Sequence, residues 1–337
     1  LILVRISASK IGFFAFGLAA FVYLALRFGL DQIAANIQRA GWSLVTIVLL
    51  WMIVYLLNTF AWMLTLGTDG RKIRFGRLFM VTVSGFVINY VTPVVALGGE
   101  PYRVSALSES MGTGHSISAV IVYRMVHLLG HMFALLTGII AALIVLPLPL
   151  SVTLSLGAGA VVVCCVIIVT LMGHRHGVFE KLQSGLARIP VVRRFAVLLE
   201  KYRSNFKEMD LAITGPYHHA RGKFLLAIFL EYVSRICMGF EVYVILRGIG
   251  IEVDPASAFF LYVLYSMIIN LLFFIPLNLG AREGGLALGL ESLSLPPLLG
   301  VYLGVVMRIR EFFWILLGLS FMLLSVDRKK TSSANAA

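Results

Sequence analysis

The chain has 337 residues, of which 60% are hydrophobic and only 13% charged, whereas an ordinary soluble domain carries about 25% charged residues. With a mean hydropathy of +0.95 it cannot clothe a water-facing surface, which excludes soluble enzymes and nucleic-acid binders. The net charge of +12, from 28 Lys and Arg against 16 Asp and Glu, therefore points to cytoplasmic loops and anionic headgroups rather than to nucleic acid.

Apolar stretches of about 20 residues recur, long enough to cross a bilayer as helices. The first, residues 11–28, lacks a small-residue cleavage site and is expected to be a retained helix rather than a signal peptide. Residues 31–40 read as a short interfacial helix, and 42–66 as the next crossing. Residues 78–91 run apolar into a Pro/Gly break and continue as a short, partly polar helix to about 116; 117–146 and 152–172 are further crossings. Between 174 and 222 a basic segment carries Phe179, Leu182, Leu186 and Ile189, then Phe195, Leu198, Leu199, Tyr202 and Phe206 at helical spacing, divided by Pro190. It reads as an amphipathic helix pair on the inner membrane surface, with a solvated linker packed on the bundle as the alternative. Residues 224–246 cross again, 256–275 enter a second Pro/Gly break that closes near 296, 298–324 cross last, and 331–337 form a disordered tail. Cys164, Cys165 and Cys237 all fall in apolar stretches, so no disulfide framework is expected.

Basic residues set the orientation. Arg5 and Lys10, Arg71, Lys72, Arg74 and Arg77, ten residues from Arg175 to Lys223, and Arg328, Lys329 and Lys330 make 19 on one side. The other side keeps Arg27, Arg39 and Arg247, balanced by Asp31, Glu252 and Asp254. Both termini are thus expected in the cytoplasm. With that orientation, residues 78–116 must enter and leave from the inside and 256–296 from the outside. These are two re-entrant hairpins of opposite direction, unless 256–275 spans fully.

The two breaks resemble one another. One reads Pro93-Val-Val-Ala-Leu-Gly98-Gly99-Glu100 and the other Pro276-Leu-Asn278-Leu-Gly280-Ala-Arg282-Glu283, each preceded by an asparagine, Asn89 or Asn270. Arg124 follows Pro93 by 31 residues and Arg308 follows Pro276 by 32. An inverted repeat with broken helices is a recurring transporter construction. Unwound backbone cannot face lipid but can line a polar cavity, and a helix restarting after Gly98-Gly99 would aim free N–H groups at an anion.

Ionisable side chains within spans are costly and usually face a pathway or a partner. They are Glu100, Arg103, Arg124, His127, His131, Glu231, Arg235, Glu241, Arg282, Glu283, Glu291, Arg308, Arg310 and Glu311. Arg124, His127 and His131 share one helix face, and Glu231 and Arg235 are an i, i+4 pair. The substrate-binding candidates are Glu100, Arg103, Arg124, Glu283 and Arg308 with Asn89, Asn270 and Asn278, and the hairpin breaks are Pro93, Gly98, Gly99, Pro276 and Gly280. His127, His131, Glu231, Arg235, Arg282, Arg310 and Glu311 stand second, with helix-gluing pairs and hydrogen-bonded histidines as the plainer reading. Arginine suits phosphate because its planar fork grips two oxygens. No nucleotide loop, HExxH, GxSxG or zinc spacing occurs, so no catalytic residue, metal or cofactor is expected.

At Pro93 to Arg103, Arg124 and Pro276 to Glu283 the sequence resembles the lysylphosphatidylglycerol synthase transmembrane-region family, the flippase-like domain of the bacterial multiple peptide resistance factor. The resemblance covers nearly the whole chain. It implies a membrane domain with re-entrant segments that moves modified phospholipids between leaflets; stand-alone members are associated with polyprenyl-linked sugars and hopanoid-type lipids. The best-known members add a C-terminal soluble aminoacyltransferase, and none follows the short tail here, so lipid synthesis is not expected of this chain.

The expected fold is an all-α integral membrane protein with about six spanning helices and two oppositely oriented re-entrant hairpins in an inverted repeat. Its parts are a first membrane half (1–173), the basic segment (174–222), a second membrane half (223–330) and the tail. The expected function is a flippase or scramblase for aminoacylated phosphatidylglycerol or another anionic lipid, including polyprenyl phosphates, in the bacterial cytoplasmic membrane. A separate lipid-modifying synthase or glycosyltransferase would supply the substrate, and oligomers are compatible with this. A membrane-embedded enzyme or accessory subunit acting on polyprenyl-linked lipids, and a small-anion transporter, are the alternatives.

Overall fold

In the computed structural model the described residues are 38, 40–67, 70, 73–91, 99–176, 221–273, 278 and 280–334. The expected crossing at 11–28 and nearly all of the basic segment lie outside them, as do Pro93, Gly98 and Pro276. The described part is wholly helical: α1 (Trp42–Thr65), α2 (Phe75–Val91), α3 (Gly99–Met111), α4 (Thr113–Val145), α5 (Leu150–His176), α6 (Arg221–Gly248), α7 (Pro255–Leu271), α8 (Ala281–Ser292) and α9 (Leu299–Ala334). This is a multi-pass helical membrane protein.

Three helices, Trp42–Thr65, Thr113–Val145 and Leu150–Met172, are long and apolar enough to cross a bilayer. They coincide with three expected spans. Helices α6 and α9 occupy two further expected spans, but carry Glu231, Arg235 and Glu241, and Arg308, Arg310 and Glu311 within them. Helix α9 runs on past the expected crossing end, into the segment expected as a tail. On α5, Leu150, Leu154 and Val169 are more than 60% exposed. In water that apolar face would be a liability; against acyl chains it is the expected finish.

Helices α2 and α3 run antiparallel, and α7 and α8 do the same. At the open end of the first hairpin, Arg77 at the start of α2 donates to Ala106 O and Ser110 Oγ near the end of α3, both at 3.1 Å. At the open end of the second, Ser257 of α7 and Ser292 of α8 line one cavity of about 610 Å³ together with Leu146 and Arg247. Only Gly112 separates α3 from α4, so the first hairpin opens at the N-terminal end of α4. Leu146 caps the C-terminal end of α4, so the second hairpin opens at the opposite end.

The helix ends follow from local chemistry. Asp254 caps α7 by accepting from the amides of Ala256 and Ser257, both at 2.9 Å, and Pro255 supplies the first helical position. Gly280 turns into α8 with φ +78°, a left-handed conformation that glycine adopts without steric cost.

Candidate functional site

The first hairpin assembles a site where α2, α3 and α4 meet. Asn89 near the end of α2 accepts from the Gly99 amide at 2.7 Å and donates to Glu100 Oε1 at 3.2 Å. Its side chain thereby satisfies an orphan donor at the start of α3. A side chain at position 99 would strike the Gly85 carbonyl, so this approach of α2 to α3 needs glycine. Glu100 Oε1 also takes Arg103 Nη1 at 2.9 Å and lies 3.4 Å from Arg124 Nε of α4.

Arg103 is fully buried. Its guanidinium carbon sits 4.5 Å from the Phe86 ring centre, 5.5 Å from Tyr123 and 5.6 Å from Trp62. Aromatic faces attract the cation and exclude water. Arg103 Nε and Nη2 and Glu100 Oε2 have no hydrogen-bond partner among the described residues.

The second hairpin builds a related contact. Glu283 in the first turn of α8 reaches back to the Gly280 amide at 2.9 Å through Oε2, as a third-position glutamate does in a capping box. Its Oε1 takes Arg308 Nη2 at 2.8 Å and Nε at 3.1 Å. Gly304 makes the room: a Cβ there would lie 2.6 Å from Glu283 Oε1. In both hairpins a glutamate at the start of a short helix meets an arginine within the following long helix.

Around Arg308 the charges form a chain across the molecule. Its Nη1 donates to the Tyr90 hydroxyl at 3.4 Å, and Tyr90 in turn donates to Glu311. Arg282 lies 2.8 Å from Glu311. Arg310 grips Glu241 with two bonds of 2.8 and 3.0 Å, stacks 3.7 Å from the Trp51 ring centre, and lies 3.7 Å from Glu311. Trp51 Nε1 also donates to Glu241, at 3.0 Å.

A third cluster joins α1, α4 and α6. Glu231 accepts from Asn58 at 2.8 Å and lies 2.8 Å from His127 Nδ1, while Arg235 Nη2 is 2.6 Å from His127 Nε2. The same Arg235 nitrogen lies 3.2 Å from His127 Nδ1, so the guanidinium rests against the ring beside both of its nitrogens. The i, i+4 pair Glu231–Arg235 closes only to 3.9 Å because the imidazole bridges the two charges. His131 contacts Asn270 at 2.9 Å.

The candidate residues thus divide into three groups. Asn89, Glu100, Arg103 and Arg124 come together; Glu283 and Arg308 meet Arg282, Arg310 and Glu311; His127, Glu231 and Arg235 form the third, with Asn270 on His131 nearby. Asn89 and Asn270 do not play matching parts, since one holds its own hairpin and the other reaches α4. Asn278 has a left-handed backbone, φ +53°, and the described contacts do not join it to Glu283 or Arg308. Sequence reasoning passed over Tyr90, Trp51 and Asn58 and gave Glu241 no role. Asn58 had a signal, a lone amide in an apolar span; Tyr90 and Trp51 had none, because aromatics are ordinary there.

A family model described as "Lysylphosphatidylglycerol synthase TM region" matches residues 5–318. No curated protein and no solved structure matches the sequence.

Proposed function

The chain belongs to the lysylphosphatidylglycerol synthase transmembrane-region family, and from that premise we propose that it moves an anionic phospholipid between leaflets as an intact molecule. The observation that carries the proposal is the pair of contacts Glu100–Arg124 and Glu283–Arg308. Each joins the start of a short hairpin helix to the interior of a long one, where charge is expensive unless it serves a pathway or a partner.

The supporting architecture is an inverted repeat. Helices of 17, 13 and 33 residues in the first half are followed by helices of 17, 12 and 36 in the second. The two hairpins open at opposite ends of α4, as re-entrant segments entering from opposite leaflets would. Helices α1, α4, α5, α6 and α9, counted with the crossing expected from the sequence of residues 11–28, give six crossings. Both termini lie on the cytoplasmic side of a bacterial inner membrane, and a separate synthase or glycosyltransferase supplies the lipid. The headgroup passes along the polar groups of the hairpins while the acyl chains stay in lipid.

Reconstitution into liposomes tests this directly. Fluorescent phosphatidylglycerol and its aminoacyl form should change leaflets faster than in empty vesicles, and Glu100→Gln and Glu283→Gln should each slow that exchange at equal protein density. Rates equal to empty vesicles for phosphatidylglycerol, aminoacyl phosphatidylglycerol and polyprenyl phosphate would remove the reading. A changed covalent product in the recovered lipid would replace it with an enzyme. For the topology, single cysteines at Glu109 and Ser294 in a cysteine-free background should label from opposite faces of sealed vesicles.

A further inference from the structure

The two Glu–Arg contacts look alike but are not equivalent in charge. Among the described membrane-embedded residues, six arginines (Arg103, Arg124, Arg235, Arg282, Arg308, Arg310) face five glutamates (Glu100, Glu231, Glu241, Glu283, Glu311). Glu109 lies at the first hairpin's open end beside Arg77, and Glu291 is exposed near the second's. The second group balances, with Arg282, Arg308 and Arg310 against Glu241, Glu283 and Glu311. Arg235 balances Glu231, and the guanidinium held against the His127 ring opposes a further positive charge there. His131 Nε2 lies 2.9 Å from the Asn270 side-chain amide. Among the described residues, the one uncompensated positive charge belongs to the first group, where Glu100 is the carboxylate that meets both Arg103 and Arg124.

That charge is also the accessible one. Arg308 is 2% exposed at its side chain and spends all three guanidinium nitrogens on Glu283 and Tyr90, whereas the Arg124 side chain is 38% exposed. Arg124 touches Glu100 through Nε, and its terminal nitrogens have no partner among the described residues. It is the twelfth residue of the 33-residue α4, about 16 Å along the axis from the first. A cation half-open at that depth is costly in lipid without a counter-charge. Beside it, two Arg103 nitrogens, Nε and Nη2, have no hydrogen-bond partner among the described residues, and α3 begins at Gly99 and Glu100.

We propose that Arg124 is the seat for one singly charged phosphodiester headgroup, backed by the field of Arg103, and that Glu283–Arg308 is a permanent lock that never meets the lipid. Glu100 competes with the headgroup for Arg124 and so sets how readily it leaves. A phosphodiester carries the single negative charge the site lacks, whereas a terminal phosphate approaches two. The inference rests on the lipid-moving reading and narrows its substrate.

Binding separates the two claims, because it is read without transport. The purified full chain is titrated with dioctanoyl phosphatidylglycerol, dioctanoyl phosphatidic acid, dioctanoylglycerol and inorganic phosphate. The first should bind one per chain, at least tenfold tighter than dioctanoylglycerol and no weaker than the phosphatidic acid. Arg124→Gln should weaken it tenfold or more, and Arg124→Lys less, since charge remains and the fork is lost. Glu100→Gln should tighten it severalfold, a sign that a merely structural role would not give. Glu283→Gln should lower the melting temperature and change the affinity less than Arg124→Gln does.

Wild-type affinity in Arg124→Gln, weaker binding in Glu100→Gln, or equal binding of dioctanoylglycerol would overturn the seat. If Arg124→Gln fails to fold, Arg124→Lys and Glu100→Gln decide by the same directions. Displacement of the lipid by inorganic phosphate at equal concentration would keep the anion seat and remove the lipid reading. Normal binding with no leaflet exchange would likewise retain the seat and remove transport.

Discussion

The hydroxyl of Tyr90 donates to the carboxylate of Glu311, a residue 221 positions away in the chain. The bond ties the end of the first hairpin's descending helix to the last long helix. Arg308 touches the same hydroxyl at 3.4 Å, so this one oxygen stands between the first hairpin and the charge group of the second. Tyr90→Phe removes the donor and keeps the ring. It should lower stability by about 1 kcal/mol, read as a drop in unfolding temperature in detergent. An unchanged unfolding temperature would mean that the halves are held together without it.

Glu241 and Arg310 are buried and doubly bonded to each other. Removing either partner alone strands a buried charge and should cost about 3–5 kcal/mol. Glu241→Gln combined with Arg310→Met should cost clearly less than the two single changes added together. The comparison is a double-mutant cycle from denaturant unfolding in micelles. Additive losses would show that the pair does not act as a unit.

Gly304 touches Glu283 where the short helix leans on the long one. Gly304→Ala forces the carboxylate off Arg308 and should destabilise by about 1–3 kcal/mol. Expression and unfolding temperature report it, and leaflet exchange should fall with them. A variant as stable as the parent would mean that α8 moves away freely.

Asp254 caps α7 outside the membrane-spanning segments. The Ser257 hydroxyl and the amides of Ser257 and Ala256 hold its carboxyl below the ordinary aspartate range. A lowered pKa in the folded state means the cap stabilises fully above the unfolded value of about 4 and is lost as pH falls through the folded one. Asp254→Ala should cost about 0.5–1 kcal/mol near neutral pH, the exposed site being screened by solvent. The gap to the parent should close progressively below pH about 4. A gap independent of pH would assign the effect to something other than the ionised carboxylate.

Much of the architecture was legible because lipid allows few solutions. The crossings at 42–66, 117–146 and 152–172 coincide with helices that satisfy length and hydropathy together. The matching of Glu100 with Glu283 and of Arg124 with Arg308 was legible from spacing alone, and those residues do pair within each half. The partners of the interior charges were not. Nothing in sequence spacing links Glu231 to Asn58, 173 residues away, or Arg310 to Glu241, 69 residues away. The i, i+4 rule offered Arg235 to Glu231, and His127 from another helix came closer.

Composition and patterning determined that this chain lives in a membrane and where the crossings at 42–66, 117–146 and 152–172 fall. Those follow from the hydrophobic thickness of a bilayer and from backbone hydrogen bonding, which act along the chain. Tertiary structure alone decided which charges cancel. Near-neutrality inside could be counted from the sequence, but only the packing of α2, α3 and α4 leaves Arg124 half-open while the packing of α8 on α9 encloses Arg308. A buried charge is compensated by whatever lies within a few ångströms, and that neighbourhood is made by helices distant in sequence.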